Sequence, residues 1–161
     1  MSGGTGEFVK LFELRIGAEM FAADWSHCDR ISSYVADLLS HARTDSLRYA
    51  NLFSSVLNEL LETVFHHHAA MGSIRCAVSR AGTLDRIEIS LPCDGATRAF
   101  YHAAMAEIAK PDVADRYLKT MLSGTGHSGL MELAVDYSAK LSVTDSAPGE
   151  LHLTTELVLE E

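Results

Sequence analysis

Apolar residues recur along this chain with two periods. From Glu7 to Ile16, Phe8, Leu11, Phe12, Leu14 and Ile16 are interleaved with charges, Gly17 follows, and a second apolar run covers Met20 to Ala23. That pattern predicts an N-terminal hairpin. Ser26, with Asp29 three residues on, makes a capping-box-like start for a helix carrying Ile31, Tyr34, Val35, Leu38 and Leu39 at spacings of three and four, ending near Arg43. A longer helix is expected from Asp45 to Ala69. Phe53, Leu57, Leu60, Leu61 and Val64 fall on one arc of it, and Ser55, Glu59, Glu62, Thr63 and His66 on the opposite arc. Leu52 and Val56 stray toward the polar arc, so that side is expected to be partly covered as well.

Ser73 to Arg80 and Leu84 to Leu91 are β-rich and joined by Ala-Gly-Thr, which predicts a second hairpin closed by Asp94-Gly95. Ala96 to Ala109 reads as helix, Pro111 breaks it, and Val113 to Leu122 reads as a short helix. The loop Ser123-Gly124-Thr125-Gly126-His127-Ser128-Gly129 leads into a helix from Leu130 to about Ala139. Lys140 to Thr144 and Leu151 to Leu159 then form a last hairpin around Ala147-Pro148-Gly149. Clusters of strands alternating with clusters of helices predict an α+β two-layer sandwich, a mixed or antiparallel sheet covered on one face by helices. Tight turns between strands argue against a doubly wound parallel sheet.

At 161 residues the chain is about one domain, expected over 7–161 after a disordered Met1 to Gly6. Thirteen Lys and Arg against 22 Asp and Glu give a net charge of −9, which removes the electrostatic attraction that nucleic-acid binding rests on. No apolar run approaches the roughly 18 to 20 residues of a membrane span, and the start MSGGTGEF has no cationic region, so a cytoplasmic protein is expected. Cys28, Cys76 and Cys93 are odd in number and form no CxxC pair, and they read as buried thiols.

Two segments could carry chemistry. On the long helix, Glu59, Thr63 and His66 lie one and two turns apart and can face one ligand; oxygen donors in that arrangement suit a base and a hydrated Mg2+. The plainer alternative is a solvated helix surface. In the loop, glycines let the backbone approach an anion, and the following helix N-terminus offers unsatisfied N–H groups. Its plainer alternative is a connector with Ser128 as an ordinary N-cap. No strand precedes the loop, so the dinucleotide-binding fingerprint fails its context. His66, His67 and His68 point about 100° apart on a helix, so at most two converge, and no zinc site is expected. Trp25 and Met71, Met105, Met121 and Met131 read as core residues.

NELLETVFHH and SGTGHSGLMELAVDYSAKLSV together resemble the asparagine-bearing helix and the glycine-rich lid of the histidine-kinase-like ATPase superfamily. The likeness runs in order from Asp45 to Glu161, and in layout the chain is most similar to anti-sigma-factor serine kinases and SiaB-like kinases. The resemblance implies that fold, with ATP or ADP and Mg2+ as cofactors. It implies Glu59 as general base, Thr63 at the Mg2+-binding position and His66 or His67 near the phosphates. It also implies Asp94 and Gly95 at the adenine-reading box, with Gly124, Gly126, Ser128 and Gly129 in the phosphate-covering loop. Thr63 stands where the family has Asn, and no second glycine follows Asp94-Gly95 closely. Two functions stay open: a nucleotide-binding regulator that phosphorylates Ser or Thr of a partner protein, and a catalytically degenerate module that acts by protein binding. Both imply a regulatory protein partner. Self-association is also expected, with Phe8, Phe12, Met20, Phe21 and Trp25 of the first hairpin as the contact or, equally, as the sheet's buried face.

Overall fold

The computed structural model describes residues 6–17, 19, 26–41, 43–66, 72–124 and 129–159. Its strands are β1 (Val9–Gly17), β2 (Ser73–Ala81), β3 (Leu84–Pro92), β4 (Lys140–Ala147) and β5 (Glu150–Val158). They form one sheet in the order β1-β2-β3-β5-β4, and every neighbouring pair is antiparallel. The helices are α1 (Ser26–Ser40), α2 (Ser46–His66), α3 (Gly95–Ile108), α4 (Val113–Ser123) and α5 (Gly129–Asp136). The α+β sandwich is as expected, with a purely antiparallel sheet.

Side-chain alternation decides which face of the sheet is covered. Ile74, Cys76 and Val78 of β2, Ile87, Ile89 and Leu91 of β3, and Leu151, Leu153 and Leu157 of β5 are all buried on one face. Arg86, Glu88, His152 and Glu156 alternate with them and stay partly exposed. Against the buried face lies α2, whose Phe53, Val56, Leu57, Leu60, Leu61 and Val64 are at most 1% exposed. Each such side chain contributes about 1.5–3 kcal/mol relative to an exposed one, so this helix and the sheet carry most of the core. The two hairpins are closed where the sequence places its turn residues. Gly82, at φ 61°, sits between the paired Ala81 and Leu84, and Gly149, at φ 75°, follows Pro148 between Ala147 and Glu150.

β1 pairs with β2, and this register sets Phe12, Leu14 and Ile16 opposite Val78, Cys76 and Ile74 on the helix side. The run Met20 to Ala23, expected as its hairpin partner, lies outside the described residues. Met20, Phe21 and Trp25 lie outside the described residues, as do Met1 to Thr5 and Met71. Two helices are shorter than expected: α1 stops at Ser40, and α5 stops at Asp136 just before Ser138 turns to φ 52°. Met121 is not a core residue but about half exposed, whereas Met105 packs against the core. Cys28, Cys76 and Cys93 are buried and free, and burial pushes the Cys28 and Cys76 thiols up to about 12. Among the described residues no helix is long and apolar enough to cross a membrane.

One inward position of β3 is not apolar. Asp85 is fully buried, directly opposite Arg80 across the hairpin. Its Oδ1 accepts from Arg80 Nε at 2.7 Å and Arg43 Nη2 at 3.0 Å, and its Oδ2 accepts from the Tyr49 hydroxyl at 2.5 Å. Arg80 Nη2 also donates to the Tyr49 oxygen at 2.8 Å. The cluster ties the segment before α2, the first turn of α2 and the β2–β3 hairpin to one carboxylate. Burial and the Asp85 carboxylate beside it both push the Tyr49 hydroxyl's pKa up. Removing the charge leaves two guanidinium groups without their counter-ion. Asp85→Asn should therefore cost about 3–5 kcal/mol. In urea unfolding this lowers the midpoint at an unchanged slope; a loss under about 1 kcal/mol would mean that the cluster is not buried as described.

Candidate functional site

The second face of α2 is also covered. Thr63, on the arc expected to be polar, is only 8% exposed, and Glu59, one turn before it, is half-buried. What covers them is the start of α5. A Cβ placed on Gly129 would lie 2.6 Å from Glu59 Oε2 and 3.0 Å from Thr63 Oγ1, so the backbone of α5 touches both side chains. Three residues singled out in the sequence, Glu59, Thr63 and Gly129, thus come together. A side chain at 129 would push the Glu59 carboxylate aside and crowd the Thr63 hydroxyl, so glycine permits the close approach.

The charge at this seat is negative. On α5, Glu132 and Asp136 are one turn apart, and Asp136 Oδ2 accepts from the Tyr117 hydroxyl of α4 at 3.0 Å. Burial first, then the Asp136 bond, then the charges of Asp136, Glu132 and Glu59 push the Tyr117 hydroxyl up to about 12. The charges that act on Tyr117 are therefore three carboxylates. A helix N-terminus carries about half a positive charge, and here the Glu59 carboxylate lies against the first residue of α5. A carboxylate is favoured beside the start of a helix. Tyr117, Glu132 and Asp136 were not singled out in the sequence. The available signal was the acid pair at positions 132 and 136, four apart on one face of a short helix.

The other expected site residues are placed differently. Asp94 is exposed and is the N-cap of α3: its Oδ1 accepts from Thr97 N at 2.8 Å, and Thr97's backbone and hydroxyl hold its carboxyl below the usual range. Gly95 is the first residue of α3, with open space around it. α3 packs on α5 and β4. Gly124 caps the C-terminus of α4 at φ 69°, its N–H donating to Met121 O, which accounts for a glycine there without any ligand. His66 ends α2 and is exposed. His67, Gly126 and Ser128 lie outside the described residues. On α2, Asn58 Nδ2 donates to Glu62 Oε1 at 3.1 Å, and Asn58 Oδ1 is buried without a partner. Among the described residues no group of three or more His, Cys, Asp or Glu side chains is placed to hold a metal ion.

No protein-family model matches this chain, and no curated protein matches it. Its fold is similar to a chain in the crystal structure of the SiaB–SiaC complex from Pseudomonas aeruginosa, with a TM-score of 0.63. The likeness covers 92% of this chain and 90% of that one at 16% sequence identity, and it concerns the fold.

The contact between α5 and α2 is open to a double-mutant test. Gly129→Ala should destabilise the protein by about 1 kcal/mol, because the new methyl group displaces the Glu59 carboxylate and crowds the buried Thr63 hydroxyl. Glu59→Ala in the same chain removes the closer of the two obstacles and should recover part of the loss. The two changes should couple by about 0.5 kcal/mol or more in urea unfolding; effects that add within about 0.3 kcal/mol would show that the residues do not touch.

Proposed function

We propose that this chain is a signalling regulator that acts by binding a protein partner, with the seat between α2 and α5 as a closed, self-satisfied form of an anion site. The observation that carries this reading is the Gly129 contact, which sets a carboxylate of the same chain, Glu59, at the helix N-terminus. That is where the resemblance to histidine-kinase-like ATPases puts phosphate. The carboxylates around Tyr117 disfavour a triphosphate, and the start of α5 lies against both Glu59 and Thr63, the two side chains that would serve Mg2+. This reading therefore expects no binding of ATP with Mg2+ while α5 stays in its seat. A protein partner is further supported by the similar chain, which belongs to a complex of two proteins.

A second reading, a serine/threonine kinase of the anti-sigma or SiaB type, is favoured by the convergence of Glu59, Thr63 and the start of α5 at one place. It requires α5 to leave its seat before nucleotide binds. Calorimetric titration and thermal melting with ATP and with ADP, with and without Mg2+, separate the two readings. A ligand with a dissociation constant near 100 μM stabilises the native state by about 1.4 kcal/mol at 1 mM. For a domain of this size that raises Tm by about 3–6 °C. The closed-site reading expects neither heat nor a shift. A Mg2+-dependent shift of that size sinks it and supports the kinase.

A further inference from the structure

The face of the sheet away from the helices carries polar side chains in rows. One row runs straight across four strands: Arg15 of β1 is opposite Arg75 of β2, Arg75 is opposite Ser90 of β3, and Ser90 is opposite His152 of β5. Arg15 against Arg75 is a cross-strand pair of like charges, which is unfavourable unless an anion lies between them. The β2–β3 ladder begins at the pair Arg75 and Ser90, and just past it, toward Ser73 and Pro92, the surface opens into a hollow of about 320 Å³. Arg15, Ser73, Arg75 and Ser90 line it from β1, β2 and β3, and Gly149 and Glu150 line it from the end of the β4–β5 hairpin.

The charges in this hollow are not spent on each other. Among the described residues the Arg15 and Glu150 side chains make no hydrogen bond or ion pair. Arg75 has only Glu13, at 4.0 Å, and Glu13 is itself bonded to Lys10 at 2.7 Å. A second hollow on the same face, of about 420 Å³, shares Arg75, Ser90 and Glu150, but its other charges are matched. There Lys10 holds Glu13, and Glu88 is 3.5 Å from His152 Nε2, while His152 Nδ1 is 3.0 Å from Ser90 Oγ. The first hollow therefore presents two guanidinium groups from β1 and β2 and one carboxylate from β5. A guanidinium fork suits a carboxylate, and a carboxylate side chain accepts from an ammonium group. Neighbouring strands are about 4.8 Å apart, so the backbones of Arg75 and Glu150, two strands apart, are separated by about 10 Å or more, and side chains reaching inward from both leave space for a few atoms. A simple anion there would face Glu150, and a simple cation would face both arginines. A small molecule that carries both charges satisfies all three.

We propose that this hollow binds a small amino-carboxylate zwitterion, its carboxylate between Arg15 and Arg75 and its ammonium group at Glu150. The site is on the opposite face of the sheet from Glu59, Thr63 and Gly129, so it stands or falls independently of the function proposed above. Glycine, β-alanine and γ-aminobutyrate probe the separation of the two charges, and acetate, propionate and butyrate are the same chains without the nitrogen. Titrated into the full chain at constant ionic strength and followed by amide chemical shifts, at least one of the three amino-carboxylates should bind with a dissociation constant of about 10 mM or below. Its shifts should centre on Arg15, Arg75, Ser90 and Glu150, and the matching acid without nitrogen should bind about fivefold more weakly or worse. Arg15→Gln and Arg75→Gln should each weaken binding about fivefold or more. Glu150→Gln should remove the preference for the amino-carboxylate and leave the acid without nitrogen bound at least as well as before. All three side chains lie on the open face, so each variant should melt within about 2 °C of the wild type. The proposal is overturned by absence of binding for all three amino-carboxylates at about 50 mM. Equal affinity with and without the nitrogen, shifts centred on 129–136, or folded variants that bind as the wild type does overturn it equally.

Discussion

The seat of α5 on α2 depends on the absence of a side chain at Gly129. With a glycine there, the helix backbone reaches Glu59 and Thr63 directly, and the carboxylate of Glu59 meets the positive end of α5. Thr63 is thereby buried, and α2 is packed by α1 and by α5 as well as by the sheet. Glu59 and the start of α5 thus lie in direct contact, a carboxylate beside the positive end of a helix.

The two ends of α2 are held by different means. Near its start, Tyr49 is locked with Arg43 and Arg80 around Asp85; toward its end, Glu59 and Thr63 are covered by α5. From Tyr49 to Thr63 is fourteen residues, or about 21 Å along a helix. The first end is a closed network of charge-assisted bonds under a hairpin, and breaking it exposes buried charge. The second end is one helix of eight residues, seated through Gly129 and held by the fully buried Leu130 and Leu133.

The hairpins β2–β3 and β4–β5 and the amphipathic α2 were legible in the sequence because their signals are local: alternation, a glycine at the turn, an apolar arc. The partner of β1 was not, since β1 and β2 lie more than fifty residues apart and the nearer apolar run offered a shorter loop. Asp85 carried a signal that went unread. It interrupts the inward series Ile87, Ile89, Leu91, but its partners come from three separate segments. At the candidate site, Glu59, Thr63 and Gly129 were recognised as belonging together, and the structure joins them. The sense of the contact was not legible. A glycine before a helix reads equally as a place for phosphate and as a place for a neighbouring side chain, and only packing separates the two. Gly124 and Asp94 belong to helix caps, a use that a motif string cannot distinguish from ligand binding.

Amide hydrogen exchange across residues 129–136, measured by mass spectrometry on the protein alone, tests the closed seat most directly. If α5 rests on Glu59 and Thr63 as described, its amides should exchange at least about a hundredfold more slowly than those of an unstructured peptide, and Glu59→Ala should speed them. Exchange at unstructured rates throughout α5 in the wild type would contradict the account, since a helix that is open without ligand leaves the Glu59 face free for nucleotide.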